Sequence, residues 1–342
     1  MRPVVERVRT AEGVPVFVVR DGDPAAGPAN GGLRLLPYDS ERRALADGLR
    51  LARRMTLKHA LYRTGFSGAK LTAVADPSTV DRRALLRAVG DVLDRHAGRL
   101  YTGCDMNTTA ADMRVLSGLT PYVLAAVDSA VDASLATAHG IVAAVRQAAG
   151  GAVADRGVLV HGVGKTGAAV AALLAAGGAR VTTYDHDPAA PLLPGCTALH
   201  PLSAWWARPE ELLVLCSASG VVDERVAQRL RCRVIVSGAN CPYTSREVAR
   251  ILARRGILGV PDVVANAGAV IGDSIEHHQP ERFRTGPADE VYRFVAETVA
   301  DRTADLLRRS SGAPDRVGSA LAELLDDAPE TVCGLRFAPA RV

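Results

Sequence analysis

Aromatic side chains are scarce in this chain: phenylalanine, tyrosine and tryptophan make up 4% of its 342 residues. Its cores must therefore be filled mainly by aliphatic side chains and alanine. The six cysteines, at 104, 196, 216, 232, 241 and 333, form no CxxC pair and no regular spacing. That excludes a zinc ribbon or a disulfide framework and leaves reduced thiols. The eight histidines show no HxxxH or HExxH pattern, so no metal is expected. No apolar run approaches the roughly 20 residues of a membrane helix. The opening MRPVVERVRT interleaves charge with single apolar residues, unlike a secretory leader, so a cytoplasmic location without a membrane partner is expected. Long basic blocks are missing too: the formal charge of +4 is spread over many arginines and points to a solvated surface without a nucleic-acid partner. Neither an internal repeat nor a low-complexity linker occurs.

What the chain has in quantity is glycine, 32 residues in an otherwise globular composition. Its length suits two domains with separate cores. Leu45, Leu49, Ala52 and Met55 recur at steps of four, three and three, the pattern of an amphipathic helix begun by Asp39 or Ser40. SGAKLTAVADP reads as a strand, RRALLRAVGDVLDRHAG as a helix and RLYTGCD as a short strand. The helical second half of DSAVDASLATAHGIVAAVRQAAGG could connect two domains. Further on, LLVLCSA and RVIVSGA read as buried strands, and Thr244 with Glu247 has capping-box spacing at the start of a helix. The alternation predicts an α/β protein with parallel or mixed sheets covered by helices.

The most informative stretch is VLVHGVGKTGAAVAALLAAGG, from Val158 to Gly178. Its Gly-Lys-Thr triplet suggests a nucleotide P-loop, but that loop needs a glycine at position 159, which is leucine. A dinucleotide fingerprint is complete instead. Gly162 permits the tight turn, Gly164 lets the backbone approach a pyrophosphate, and Gly167 lets helix lie close to strand. Asp185, at the end of the next strand, is placed to accept from a ribose 2′-hydroxyl and to repel a 2′-phosphate, which favours NAD over NADP. Lys58 and Lys70 sit in unusual company, near a helix end and in a small-residue turn. A lysine in a desolvated cleft has a lowered pKa and can act as a base, although most lysines are simply solvated.

GPANGGLRLLPYDS, ALADGLRLARRMTLKHA, FSGAKLTAVADP, YTGCDMNTTAADM and GILGVPDVVANAGAVI follow one another from about Gly27 to Ile271. In order and spacing they resemble the amino acid dehydrogenases acting on glutamate, leucine, phenylalanine and valine, and the shorter leucine, valine and phenylalanine branch in particular. The resemblance implies reversible oxidative deamination: an L-amino acid, NAD and water give a 2-oxo acid, ammonia and NADH. It implies that Lys58 binds the substrate carboxylate, that Lys70 activates water, and that Asp105 moves protons at the amino nitrogen. Asn266 would hold the carboxylate, Gly31 and Gly32 would offer it backbone, and Thr137 and Asn240 would line the nicotinamide. The side-chain pocket would be assembled from the turn near Gly31, the Ser67 turn and the segment after Asn266, for an aliphatic or aromatic amino acid.

The implied architecture is an N-terminal α/β substrate and oligomerisation domain (1–131), a doubly wound Rossmann NAD domain (132–283) and C-terminal helices bracing the first domain (284–342). An active-site cleft between the domains and a homo-oligomer are expected. Departures from the family pattern lie at Ser67 and Ala269, where added side-chain atoms could narrow the pocket or move Lys70, and at Cys241 and the loop Cys216–Gly220, each at the cofactor or substrate wall. They leave room for two other readings: a specialised reductase or aminating enzyme for an unusual oxo acid or imine, and a catalytically silent NAD-binding subunit.

Overall fold

The computed structural model describes residues 2–23, 25 and 27–337. Helix α1 (Glu41–Tyr62) starts where its periodicity predicts, with the Ser40 side chain accepting from the Arg43 N–H. It ends at Arg63 in the left-handed conformation, and the Arg63 N–H returns to carbonyls of the last turn. In this first unit, which runs to Ala130 and adds Asp273–Gly286 and the segment from Pro329, α1 lies along strand β5 (Ser67–Val74).

The first sheet begins with β1 (Val4–Arg9) antiparallel to β2 (Pro15–Asp21), which is antiparallel to β5. On the other side of β5, β3 (Ala29–Asn30) pairs in parallel with Ser67–Gly68, and β4 (Leu33–Leu36) with Leu71–Val74. The two form one strand interrupted at Gly31-Gly32, opposite Ala69-Lys70. Strand β6 (Leu100–Tyr101) closes the order beside β3. Helix α2 (Arg82–His96) supplies Leu85, Val89, Val92 and Leu93 to the core over this sheet, joined by Met113 and Leu116 of α3 (Ala110–Ser117).

The second unit covers Val131–Gly272 and Pro287–Ala328. Helix α4 (Ala133–Ala148) is its first helix. Its six strands are β7 (Gly157–His161), β8 (Arg180–Tyr184), β9 (Cys196–Ala198), β10 (Leu212–Leu215), β11 (Val234–Ser237) and β12 (Leu258–Val260). All are parallel, in the order β12-β11-β10-β7-β8-β9. That is the doubly wound Rossmann order, with its direction reversing between β7 and β10.

Two expectations need correction. Residues 284–342 do not brace the first unit as a block. Helix α11 (Ala288–Ser310) lies along α4 instead, because its stripe Val295 and Val299 fits the gap left by Gly140, where a Cβ would meet Val299 at 3.2 Å. Helix α12 (Val317–Asp326) also belongs to the second unit. The return to the first unit is made by Asp273–Gly286, inside the range expected for the NAD domain, and by α13 (Cys333–Arg336), where Gly334 donates to the Ser274 hydroxyl. Residues 338–342, the end of the expected last segment, lie outside the described residues. Thr244 and Glu247 form no capping box: the N-cap of α7 (Arg246–Arg254) is Ser245, and Glu247 pairs with Arg250 and Arg254.

Candidate active site

In the first unit the structure joins Lys70 to Asp105. The Lys70 ammonium lies 2.7 Å from Asp105 Oδ2, and the Arg34 guanidinium donates to that same oxygen through Nε at 2.6 Å. Arg34 also reaches Asp47 at 3.1 Å, which in turn accepts from the Tyr38 hydroxyl at 2.8 Å. Lys70 is only 5% exposed. Burial pushes its pKa down, Asp105 pulls it up and Arg34 pushes it down again, with a net lowering. For Asp105, burial alone would raise the pKa, but Lys70 and Arg34 outweigh it and hold the carboxyl well below its usual range. A carboxylate between two cations stays ionised, while one of the cations is made ready to lose its proton.

Local sequence builds this geometry. In the turn after β6, Asn107 takes a left-handed φ of 60°, and the Thr108 hydroxyl accepts the Asp105 N–H at 2.9 Å. Lys70 sits in β5, opposite the break in its neighbouring strand. A Cβ on Gly31 would overlap the Ala69 carbonyl and come within 3.1 Å of Lys70 N; one on Gly32 would meet the Asp105 side chain at 2.9 Å. The glycine pair thus lets the chain pass between the two reactive residues. Gly31 donates its N–H to Tyr101 O and accepts from the Thr102 hydroxyl, so both its backbone groups already have partners.

Lys58 lies near the C-terminal end of α1, just before its last turn, and is 4% exposed. Next to it, burial lowers the His59 pKa to about 3, so this ring is neutral. His59 Nε2 lies 3.3 Å from the Asn30 carbonyl and Nδ1 lies 2.6 Å from the Thr64 hydroxyl. A carbonyl only accepts, so Nε2 carries the proton. Ser67, flagged as a departure, starts β5 with its hydroxyl donating to the Gly27 carbonyl at 3.4 Å. The tight contact belongs to its neighbour: a Cβ on Gly68 would overlap the Ala52 carbonyl of α1.

In the second unit the fingerprint sits at the reversal point of the sheet. Gly162 has φ +97°, and a Cβ there would meet Ser217 N, just after β10, at 2.5 Å. Gly167 allows helix α5 (Lys165–Ala176) to lie on the Gly162 carbonyl, which a Cβ would overlap. Gly164 differs from both: nothing lies within 4 Å of its Cβ direction, and as N-cap of α5 it leaves the first turn without a side-chain cap. Open space before uncapped N–H groups fits an anionic pyrophosphate. Asp185 Oδ2 accepts from the Val163 N–H at 2.7 Å and Oδ1 from the Asp187 N–H at 3.1 Å. Burial would raise its pKa, but these backbone donors lower it on balance. A cavity of about 540 Å³ opens here, lined by Gly164, Asp185, His186, Asp187 and Pro188 among others.

The remaining expected residues also belong to the second unit. Asn266 ends the short helix α8 (Asp262–Ala265) and donates to the Gly238 carbonyl at 2.8 Å and to Asn240 Oδ1 at 3.3 Å. Thr137 accepts the Ala269 N–H at 3.1 Å, at the first turn of α9 (Gly268–His278). At that turn a Cβ on Gly268 would meet the Ala136 carbonyl at 2.5 Å, so glycine is required at 268, whereas alanine is accepted at 269. Cys241 adopts φ +49°, a conformation asparagine takes more readily, and its N–H is held by Asp262 at 2.9 Å.

Sequence reasoning missed Arg34, with Asp47 and Tyr38 behind it. The signal was a lone cation in the apolar run LRLL directly after Gly31-Gly32, since a buried arginine needs anionic partners.

Comparison with known proteins identifies the family. Residues 22–122 match the profile described as Glu/Leu/Phe/Val dehydrogenase, dimerisation domain, and residues 189–312 that described as Glutamate/Leucine/Phenylalanine/Valine dehydrogenase. A phenylalanine dehydrogenase of Bacillus thermotolerans is 30% identical over 82% of this chain and 74% of its own length. A valine dehydrogenase of Streptomyces coelicolor is 34% identical over 74% of each chain. The solved L-tryptophan dehydrogenase from Nostoc punctiforme is similar with a TM-score of 0.72 and 25% identity, covering 95% of both chains. With both profiles matched, the expected fold present and a lysine and an aspartate joined beside the glycine pair, the chain belongs to the glutamate/leucine/phenylalanine/valine family of nicotinamide-dependent amino acid dehydrogenases.

Proposed function

We propose that the protein catalyses the reversible NAD-dependent oxidative deamination of an L-amino acid. The observation that carries this reading is the buried Lys70–Asp105 pair with Arg34 on the shared oxygen. Lys70, with its pKa lowered, takes a proton from the water that attacks the substrate imine. Asp105, held ionised, accepts from and returns protons to the amino nitrogen. Lys58 binds the substrate carboxylate as a buried cation. The NAD, when bound, supplies the hydride acceptor. Gly164 and the uncapped first turn of α5 hold its pyrophosphate, in a turn that Gly162 and Gly167 shape, while Asp185 holds its ribose and Thr137 and Asn240 line its nicotinamide. NAD is favoured over NADP because the cavity beside Gly164 is lined by Asp185 and Asp187 and by neither lysine nor arginine.

The match of residues 22–122 to a dimerisation domain supports a homo-oligomer assembled through the first unit. No described helix is long and apolar enough to cross a membrane; a cytoplasmic enzyme working on small molecules fits this reading. The relatives' names favour a hydrophobic substrate side chain, the class expected from the sequence, whereas two carboxylates of this chain favour a basic one.

The test follows NADH consumption with ammonia and a panel of aliphatic, aromatic, acidic and basic 2-oxo acids. Turnover that Lys70→Ala removes supports the reading. Intact NADH binding with no turnover on any member would refute it in favour of a silent subunit.

A further inference from the structure

Helix α9 brings Asp273 and Glu276 to one face, three residues apart. Asp273 Oδ2 accepts from the Asn30 amide at 2.7 Å, and Glu276 Oε2 accepts from the Ala126 N–H at 3.1 Å. Among the described residues neither carboxylate has a cationic partner. Burial, and then the charge of Glu276, push the Asp273 carboxyl up to about 8, which the Asn30 amide only partly offsets; burial pushes Glu276 to about 7. Two such acids without a counter-charge are stabilised in their ionised form by a cation brought to them.

Their place in the fold ties them to the chemistry. Asn30 is 1% exposed and is the last residue of β3, directly before the glycine pair that passes Lys70. Across β3 it faces Gly68 on one side and Tyr101 on the other. The Asn30–Asp273 bond therefore joins the turn near Gly31 to the segment after Asn266, two of the three segments from which the side-chain pocket was expected to be built. The Tyr101 ring lies 5.0 Å from that of His277, which lies 4.9 Å from Phe66. Such rings suit both a methylene stem and a cation.

We infer that the substrate is a basic L-amino acid, whose terminal ammonium or guanidinium is held by Asp273 and Glu276. The inference rests on the dehydrogenase reading. A leucine or phenylalanine side chain would cover both carboxylates while giving them no partner. A glutamate side chain would add a third negative charge.

The experiment compares L-lysine, L-ornithine and L-arginine with L-norleucine, L-phenylalanine and L-glutamate in NAD-dependent deamination. At least one basic substrate should exceed norleucine by tenfold or more in kcat/KM. Asp273→Asn, which keeps shape and removes charge, should reduce that preference ratio at least tenfold, chiefly through KM. A merely structural role would lower both substrates alike and leave the ratio unchanged. Norleucine or phenylalanine preferred by the native enzyme, or a ratio unmoved by Asp273→Asn, overturns the inference while leaving the dehydrogenase reading intact. If no amino acid is turned over, that reading fails, and calorimetry on the NADH-saturated protein decides the inference separately: tighter binding of a basic amino acid than of norleucine supports it, and equal or weaker binding overturns it.

Discussion

Replacing Arg34 by methionine tests how the proposed base is tuned. Arg34 Nε and Lys70 Nζ lie 2.6 and 2.7 Å from the same Asp105 oxygen. Those two nitrogens are therefore no more than about 5 Å apart, where two unit charges repel by about 0.8 kcal/mol in a water-like medium and about 3 kcal/mol at an effective dielectric of 20. That corresponds to a pKa change of about 0.6 to 2 units. Because Lys70 is nearly inaccessible to water, the upper half of this range applies. Removing a neighbouring cation favours the ammonium form, so the Lys70 pKa rises. Asp105, released from Arg34, pulls it in the same direction. A lysine that must be neutral to accept a proton then works only at higher pH. The acidic limb of kcat/KM against pH should move up by about one to two units, with the high-pH plateau much less affected. Arg34→Lys, which keeps the charge but loses the guanidinium fork, should leave the limb near its native position. A uniform fall at every pH with the limb unmoved, or a limb shifted downward, would refute the reasoning and reduce Arg34 to a packing role.

The fingerprint glycines should separate into two behaviours. Gly167→Ala forces a methyl group into the Gly162 carbonyl and should cost about 3 kcal/mol or more in unfolding experiments. Gly164→Ala meets nothing and should melt within about 0.5 kcal/mol of the native protein, yet bind NADH about tenfold or more weakly by fluorescence titration. Equal destabilisation by both changes would contradict the distinction. For cofactor choice, Asp185→Ser should lower the NAD-to-NADP ratio of kcat/KM at least about tenfold, close to 1.4 kcal/mol. If both cofactors weaken together, Asp185 serves only to hold the Val163 N–H.

The second unit was more legible in the sequence than the first. Strands β7, β10 and β11 are short apolar runs buried on both faces, and the fingerprint glycines carry separate geometric demands, so strand, turn and helix are legible there. Helix α1 was equally clear because its apolar steps and Ser40 agree. The end of the domain was not legible. The valine stripe of α11 would suit any groove of the right width, and only the small residues of α4, some 150 positions earlier, select its partner. The false capping box has a related cause: Thr244 and Ser245 both offer a hydroxyl, and the extended backbone at Ser245 decides between them.

At the site, resemblance supplied Lys58, Lys70 and Asp105, but the arginine that tunes Lys70 and Asp105 comes from β4, whose neighbourhood no spacing reveals. The glycine losses at Ser67 and Ala269 were expected to narrow the pocket. In the structure the close approaches fall on the neighbours, Gly68 against α1 and Gly268 against α4. In β5 this follows from alternation: adjacent residues of a strand face opposite sides, so a side chain at 67 does not compete for the space that 68 must leave empty. Those two substitutions therefore leave the close backbone approaches at Gly68 and Gly268 in place. The bond between Asn30 and Asp273, in contrast, puts hydrogen-bonding groups and charge where, under the proposed reading, a hydrophobic side chain would need neither.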